Sequence, residues 1–171
     1  GTVEVKETLR LFGMQTKPIP EVLEYSTNPY IPGVTGNERA AIQFVEDAGI
    51  SPYDKNGNFR RLLSLSNQEL DKLINAIDIH KAPGTGFDAM VGPVFLLKGE
   101  DEDSLKKDLR EFSTLLNSCG RMGWPSLGVG VCMNDPIASK KATDILKGYR
   151  KEIIDALNWF YENRRSDKIL E

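Results

Sequence analysis

Both cysteines of the chain, four glycines, one arginine and a Trp-Pro pair crowd into one stretch, CGRMGWPSLGVGVC, running from Cys119 to Cys132. Residues of these types can hold a metal, trade electrons as a thiol pair, cradle a phosphate, or simply turn the chain. A structural zinc site needs four ligands with closely spaced cysteines. Here twelve residues separate the two cysteines, and His80 is the sole histidine, so two ordinary thiols are the simpler account. A redox pair asks for Cys-x-x-Cys or for a neighbour that depresses a thiol pKa. Cys119 instead closes a helical pattern, and the spacing leaves a disulfide as the only oxidised form to consider. Gly120, Gly123, Gly128 and Gly130 fit neither the Walker loop nor a strand-borne G-x-G-x-x-G. A glycine-rich turn beside the guanidinium fork of Arg121 could still receive an anion. Read structurally, Gly120 caps a helix, and Gly128 and Gly130 permit close backbone approach.

Other candidates are weaker. The run Glu100-Asp-Glu-Asp103 offers carboxylates of the kind that bind Mg²⁺ or Mn²⁺, yet its contiguity suits a solvated helix start better. His80 near a helix end reads as a capping or surface residue, and no nucleophile elbow accompanies it. Nothing in the sequence assembles a self-contained active site. Two positive features remain. Arg60, Arg61, Arg110, Arg121, Lys140, Lys141, Lys147, Arg150 and Lys151 could contact phosphates, and Tyr30, Phe59, Trp124 and Trp159 could stack on bases. Solvated helix faces interleaved with Asp144, Glu152 and Asp155, together with core packing of the aromatics, explain the same residues without a ligand.

The elements that would position these groups are mainly helical. PIPEVLEY predicts a helix from about Glu21 to Tyr25, with Pro20 in its first turn. Thr35-Gly-Asn-Glu38 reads as a capping box for a helix bearing Ala41, Ile42, Phe44 and Val45 and stopping at Gly49. Asn56-Gly57 suits a tight turn. Ser66-Asn-Gln-Glu69 is a second capping box, followed by Leu70, Leu73, Ile74 and Ile77 at helical spacing. Residues 93–97 form a strand, with Pro93 keeping it at an edge or a strand start. Asp103 caps the next helix, whose apolar face holds Leu105, Leu109, Phe112, Leu115 and Leu116. Asn134-Asp135-Pro136 opens a helix whose apolar stripe runs to about Asn163, about 42 Å at 1.5 Å per residue. The expected fold is therefore α+β, mainly α, with a small sheet or hairpin of residues 93–97 and 127–132 and a long C-terminal helix.

A chain of 171 residues with 40% hydrophobic and 27% charged content fits one domain able to bury its own core. A net charge of −3 argues against a basic coat for nucleic acid while allowing a local patch. No apolar run reaches the ~20 residues of a bilayer span, and the scarcity of cysteine favours a reducing, cytoplasmic setting. The chain opens on Gly1 in mid-pattern and closes on NRRSDKILE. Both ends read as cuts through a longer protein, which makes 1–171 one excised domain.

The phrases TLRLFGMQTKPIPEVLEYSTNPYIPGVTGNE, EFSTLLNSCGRMGWPSLGVGVC and ATDILKGYRKEI, in that order, resemble archaeal RecJ-like exonucleases of the DHH phosphoesterase family. The likeness falls in the segment between their two catalytic lobes. It implies a parent that hydrolyses single-stranded DNA in replication or repair, with Mn²⁺ or Mg²⁺ held by an Asp-His-His lobe and a Gly-Gly-His lobe binding substrate. Neither motif occurs in this sequence, so the resemblance carries no catalytic or metal-binding residue onto it. It implies a central insertion domain that spaces lobes and docks partners such as the replication complex GINS or the MCM helicase. Tyr30, Ile31 and Trp159 are then the docking candidates. If the domain instead clamps single-stranded nucleic acid beside the parent's active site, Arg60, Arg61, Arg121 and Trp124 are the residues to do it.

Overall fold

The computed structural model describes residues 2–84 and 90–163. Strands β1 (Val3–Leu9) and β2 (Val91–Leu97) pair antiparallel, with Leu9 opposite Val91 and Val3 opposite Leu97. Along β2, Gly92, Val94 and Leu96 are buried while Pro93 and Phe95 face water. That is the period-two pattern of a sheet covered on one side. The fold is α+β and mainly helical, as expected, but the strand partner differs. Residues 93–97 pair with β1 and not with residues 127–132.

Between the strands lie α1 (Ile19–Glu24), α2 (Glu38–Asp47), a 3-10 turn at Leu62–Ser64, and α3 (Asn67–His80). The Ser66 capping box forms as read. Glu69 N–H donates to Ser66 Oγ at 3.3 Å, and Ser66 N–H donates to Glu69 Oε2 at 2.9 Å. At α2 the capping residue is Asn37, whose Oδ1 accepts from Ala40 N–H. Thr35 is buried instead, its hydroxyl accepting from Ile31 N–H and donating to Ser26 O. Gly49 ends that helix with φ +73, a conformation that a side chain would strain. Leu9, Ile19, Leu23, Ile31, Leu73, Ile77 and Met90 close the first core.

After β2 come α4 (Leu109–Arg121), α5 (Pro125–Cys132) and α6 (Pro136–Asn163). Helix α4 starts later than Asp103 implied. Asp108 caps it, accepting from Arg110 N–H at 2.8 Å and Glu111 N–H at 3.3 Å, and α4 runs through Gly120 to Arg121. Residues 127–132 are helical because Pro125 sits in the first turn, where its missing N–H costs nothing. The glycines of the Gly-Val alternation then serve helix packing. A Cβ on Gly128 would lie 3.5 Å from the Leu116 side chain, and one on Gly130 only 2.5 Å from Ala138 Cβ. Asp135 and Pro136 open α6 as read, with Asp135 Oδ1 accepting from Ile137 and Ala138 N–H groups. Leu115, Cys119, Val131, Ala138, Ala142 and Leu146 form a second core among these three helices.

Helix α6 reaches back and ties the second core to the first. Tyr30 donates its hydroxyl to Asn158 Oδ1 at 2.8 Å and stacks on Tyr161 at 4.4 Å. Gly36, at φ +84, has no room for a Cβ, which would lie 2.8 Å from Ile154 Cγ2. Arg150 donates to Tyr25 O and stacks over the Phe12 ring, 4.0 Å from its centroid. No helix among the described residues is long and apolar enough to cross a membrane.

Candidate functional site

The residues singled out as nucleic-acid contacts are not assembled into one fork. Arg60 grips Glu69 with two parallel bonds, Nη1 to Oε1 at 2.7 Å and Nη2 to Oε2 at 3.0 Å. It also donates to the carbonyls of Ser51 and Ser64. The bond to Arg60 is the main reason that the Glu69 carboxyl is held down to about 2. Arg61 pairs with Asp103 at 2.5 Å. Both guanidiniums are thus committed to carboxylates, a use the acidic run could have betrayed in the sequence only if its distance from residue 61 in space were known. Arg121 and Trp124 are exposed at the α4–α5 turn.

Of the docking candidates, Tyr30 and Ile31 are buried, Tyr30 being spent on α6. Trp159 is 66% exposed, next to the exposed Phe160. A second apolar surface was not foreseen. Val129, Met133 and Ile137, on α5 and the start of α6, are each more than 60% exposed at 64%, 76% and 68%. Of the three, only Val129 falls within the strand expected of residues 127–132. In the helix that forms, the glycines take the packed face and leave these side chains outside.

Cys119 is buried and Cys132 exposed, and both are free thiols. Burial pushes the Cys119 thiol up, so it is no activated nucleophile. His80 ends α3 with Nδ1 2.8 Å from Ala76 O and its ring edge-on to Phe44. The acidic run is a surface turn: Asp103 holds Arg61, Glu102 meets Lys107 at 3.0 Å, and Glu100 accepts from Ser104 Oγ. Among the described residues, no three His, Cys, Asp or Glu side chains gather as metal ligands.

A polar concavity lies elsewhere. A cleft of about 410 Å³ opens among β2, the Ser26–Asn28 loop, α4 and α6, and Arg10, Arg110 and Arg150 all line it. Arg110 and Arg150 were among the phosphate candidates, and Arg10 was not. Its carboxylates face inward to the main chain: Asp108 caps α4, and Glu111 accepts from Gly13 N–H at 2.8 Å. Burial, and then the nearby Asp108, push the Glu111 carboxyl up to about 7. Burial also lowers Arg150 to about 10, against the opposing pull of Glu111. For Arg110 the direction is also down, through desolvation and the charge of Arg10.

Residues 11–89 match the family model of the DHH-CID domain. They occupy the chain between β1 and β2 almost end to end, and so contain most of the first core. A curated relative, an uncharacterized protein of Methanocaldococcus jannaschii, is 30% identical over 139 residues, or 81% of this chain. The chain spans 28% of that relative's length. Over residues 11–89, then, this chain matches a DHH-CID domain, a domain of DHH-family, RecJ-like proteins.

Proposed function

We propose that the chain is the non-catalytic central domain of a RecJ-like, metal-dependent single-strand exonuclease, where it spaces the catalytic lobes and docks replication partners. One observation carries the reading. The DHH-CID segment is closed off by its own antiparallel stem, with Leu9 directly opposite Val91. A segment whose ends emerge side by side can sit in a host chain without disturbing either neighbour, the geometry that tolerates domain insertion. Hydrolysis by a metal-bound water would belong to the lobes. GINS is the proposed partner, with the MCM helicase as a further one. The exposed Trp159 and the Val129–Met133–Ile137 surface supply the apolar anchors such docking uses.

The ion pairs of Arg60 and Arg61 weigh against a single-strand clamp built from the residues named for it. A labelled single-stranded oligonucleotide, incubated with this chain and Mn²⁺, separates the readings. Docking and spacing predict no hydrolysis and no rise in anisotropy that depends steeply on salt. Release of nucleotides, or salt-sensitive binding at micromolar protein, would overturn the reading.

A further inference from the structure

Strand β1 leaves one edge of the sheet open. At the two ends of its ladder with β2, Thr2 O accepts from Lys98 N–H at 2.9 Å and Arg10 N–H donates to Met90 O at 2.6 Å. Bonded and non-bonded pairs alternate along an antiparallel ladder, so the even-numbered residues of β1 carry the bonds to β2. The N–H and C=O groups of Val3, Val5 and Glu7 therefore point the other way. Among the described residues, β2 is the only strand that pairs with β1. An open edge of this kind is a template for a further strand.

The residues along the edge select which strand fits. β1 reads VEVKETL, with Glu4 and Lys6 placed symmetrically about Val5. Two copies related by a two-fold axis at Val5 set Val5 against Val5 and Val3 against Glu7 as bonded pairs, all of them residues whose backbone groups point outward. Glu4 of each copy then faces the partner's Lys6 in a non-bonded pair, where opposed side chains approach most closely. Moving the axis one residue either way sets Glu4 against Glu4 or Lys6 against Lys6, so like charge rejects the slipped registers. Within one chain the Lys6 ammonium meets the Glu4 carboxylate at 3.5 Å with both side chains about half-exposed, a surface pair that costs little to exchange.

The apolar side chains agree with this register. Val5 lies opposite Phe95 in the ladder, and the two are 56% and 45% exposed. Pairing at Val5 joins Val5, Phe95 and their copies into one apolar row across the sheet, where neighbouring side chains support one another.

We propose that two copies of this chain associate through β1 into one continuous antiparallel sheet, in the order β2-β1-β1-β2, with the two-fold axis at Val5. None of the residues offered for docking takes part, and β1 lies outside residues 11–89, so the pairing does not depend on the docking reading.

Sedimentation equilibrium of the full chain over a concentration series tests it. The expected result is a monomer–dimer equilibrium with a dissociation constant of about 100 μM or tighter. Val5→Pro removes an N–H that the monomer leaves unpaired, at an edge position where proline is tolerated. It should abolish the dimer and leave the melting temperature of the monomer unchanged. Lys6→Glu and Glu4→Lys should each weaken self-association about tenfold or more. An equimolar mixture of these two variants should restore it, because opposite charges face each other again; this arm decides the matter even if Val5→Pro fails to fold. A monomer up to about 1 mM would leave the edge to a strand of some other protein and overturn the proposal. A dimer that the charge variants leave unchanged, or no recovery in the mixture, would overturn it as well.

Discussion

Glu111 is the residue where burial and charge conflict most openly. Its carboxyl ionises near 4.5 in an unfolded chain but holds its proton to about 7 in the folded one. Between those values the folded state binds more protons than the unfolded state, so stability falls as pH rises through the window, and the loss is complete above about 7. The shift corresponds to about 3 kcal/mol at most. Glu69 has the opposite sign: held down to about 2 by Arg60, it stabilises the fold above 4.5 and loses that contribution as pH falls towards 2. Glu111→Gln keeps an oxygen to accept from Gly13 N–H while removing the charge. Its melting temperature should exceed that of the parent chain at about pH 8 and match it near pH 4. An unchanged difference at the two pH values would show that Glu111 does not titrate as described. None of this was legible in the sequence, where Glu111 is one acidic residue in a helix. Its environment is made by the Gly13 turn and α6, which only the fold brings near.

At the scale of elements, what was legible is what the chain decides locally. Ser66 with Glu69, Asp135 with Pro136, and Gly49 each satisfy backbone groups within a few residues of themselves, and each does so in the structure. The pairing of β1 with β2 depends on partners far apart in sequence, and Val3 and Val5 of β1 are largely exposed, so no inward face announced that strand. Helix α5 departs from the strand expected of residues 127–132, where valine suits a strand and glycine disfavours a helix. Tertiary packing overrides it, since Gly128 and Gly130 are the faces on which α4 and α6 approach. Two substitutions separate propensity from packing. Gly148→Ala, in the middle of α6 with open space at its Cβ, should stabilise by about 0.5–1 kcal/mol. Gly130→Ala gains the same propensity but must push Ala138 away, and should be destabilising by about 1–3 kcal/mol. Thermal unfolding of the pair decides it. Stabilisation by both would mean that α5 and α6 are not in close contact at Gly130.

At the scale of the molecule, two small cores share one long helix. Tyr30 and Gly36 hold the DHH-CID segment against the far half of α6, and Arg150 holds it at the middle. That joint fixes the middle and far half of α6 against the first core. Docking needs a surface that this packing leaves uncovered, and the helix provides one at each end: Ile137 with Met133 at its start, Trp159 with Phe160 near its close. Arg60 and Arg61, by contrast, are already paired with carboxylates.

As proposed, the domain docks and does not cut. Calorimetric titration of purified GINS into the full chain, repeated with Trp159→Ala and Met133→Glu, tests it most directly. Docking predicts a complex of micromolar affinity or tighter, weakened about tenfold or more by at least one of the two substitutions, with the fold intact in both. No heat and no complex at tens of micromolar protein, or full affinity in both variants, would contradict it.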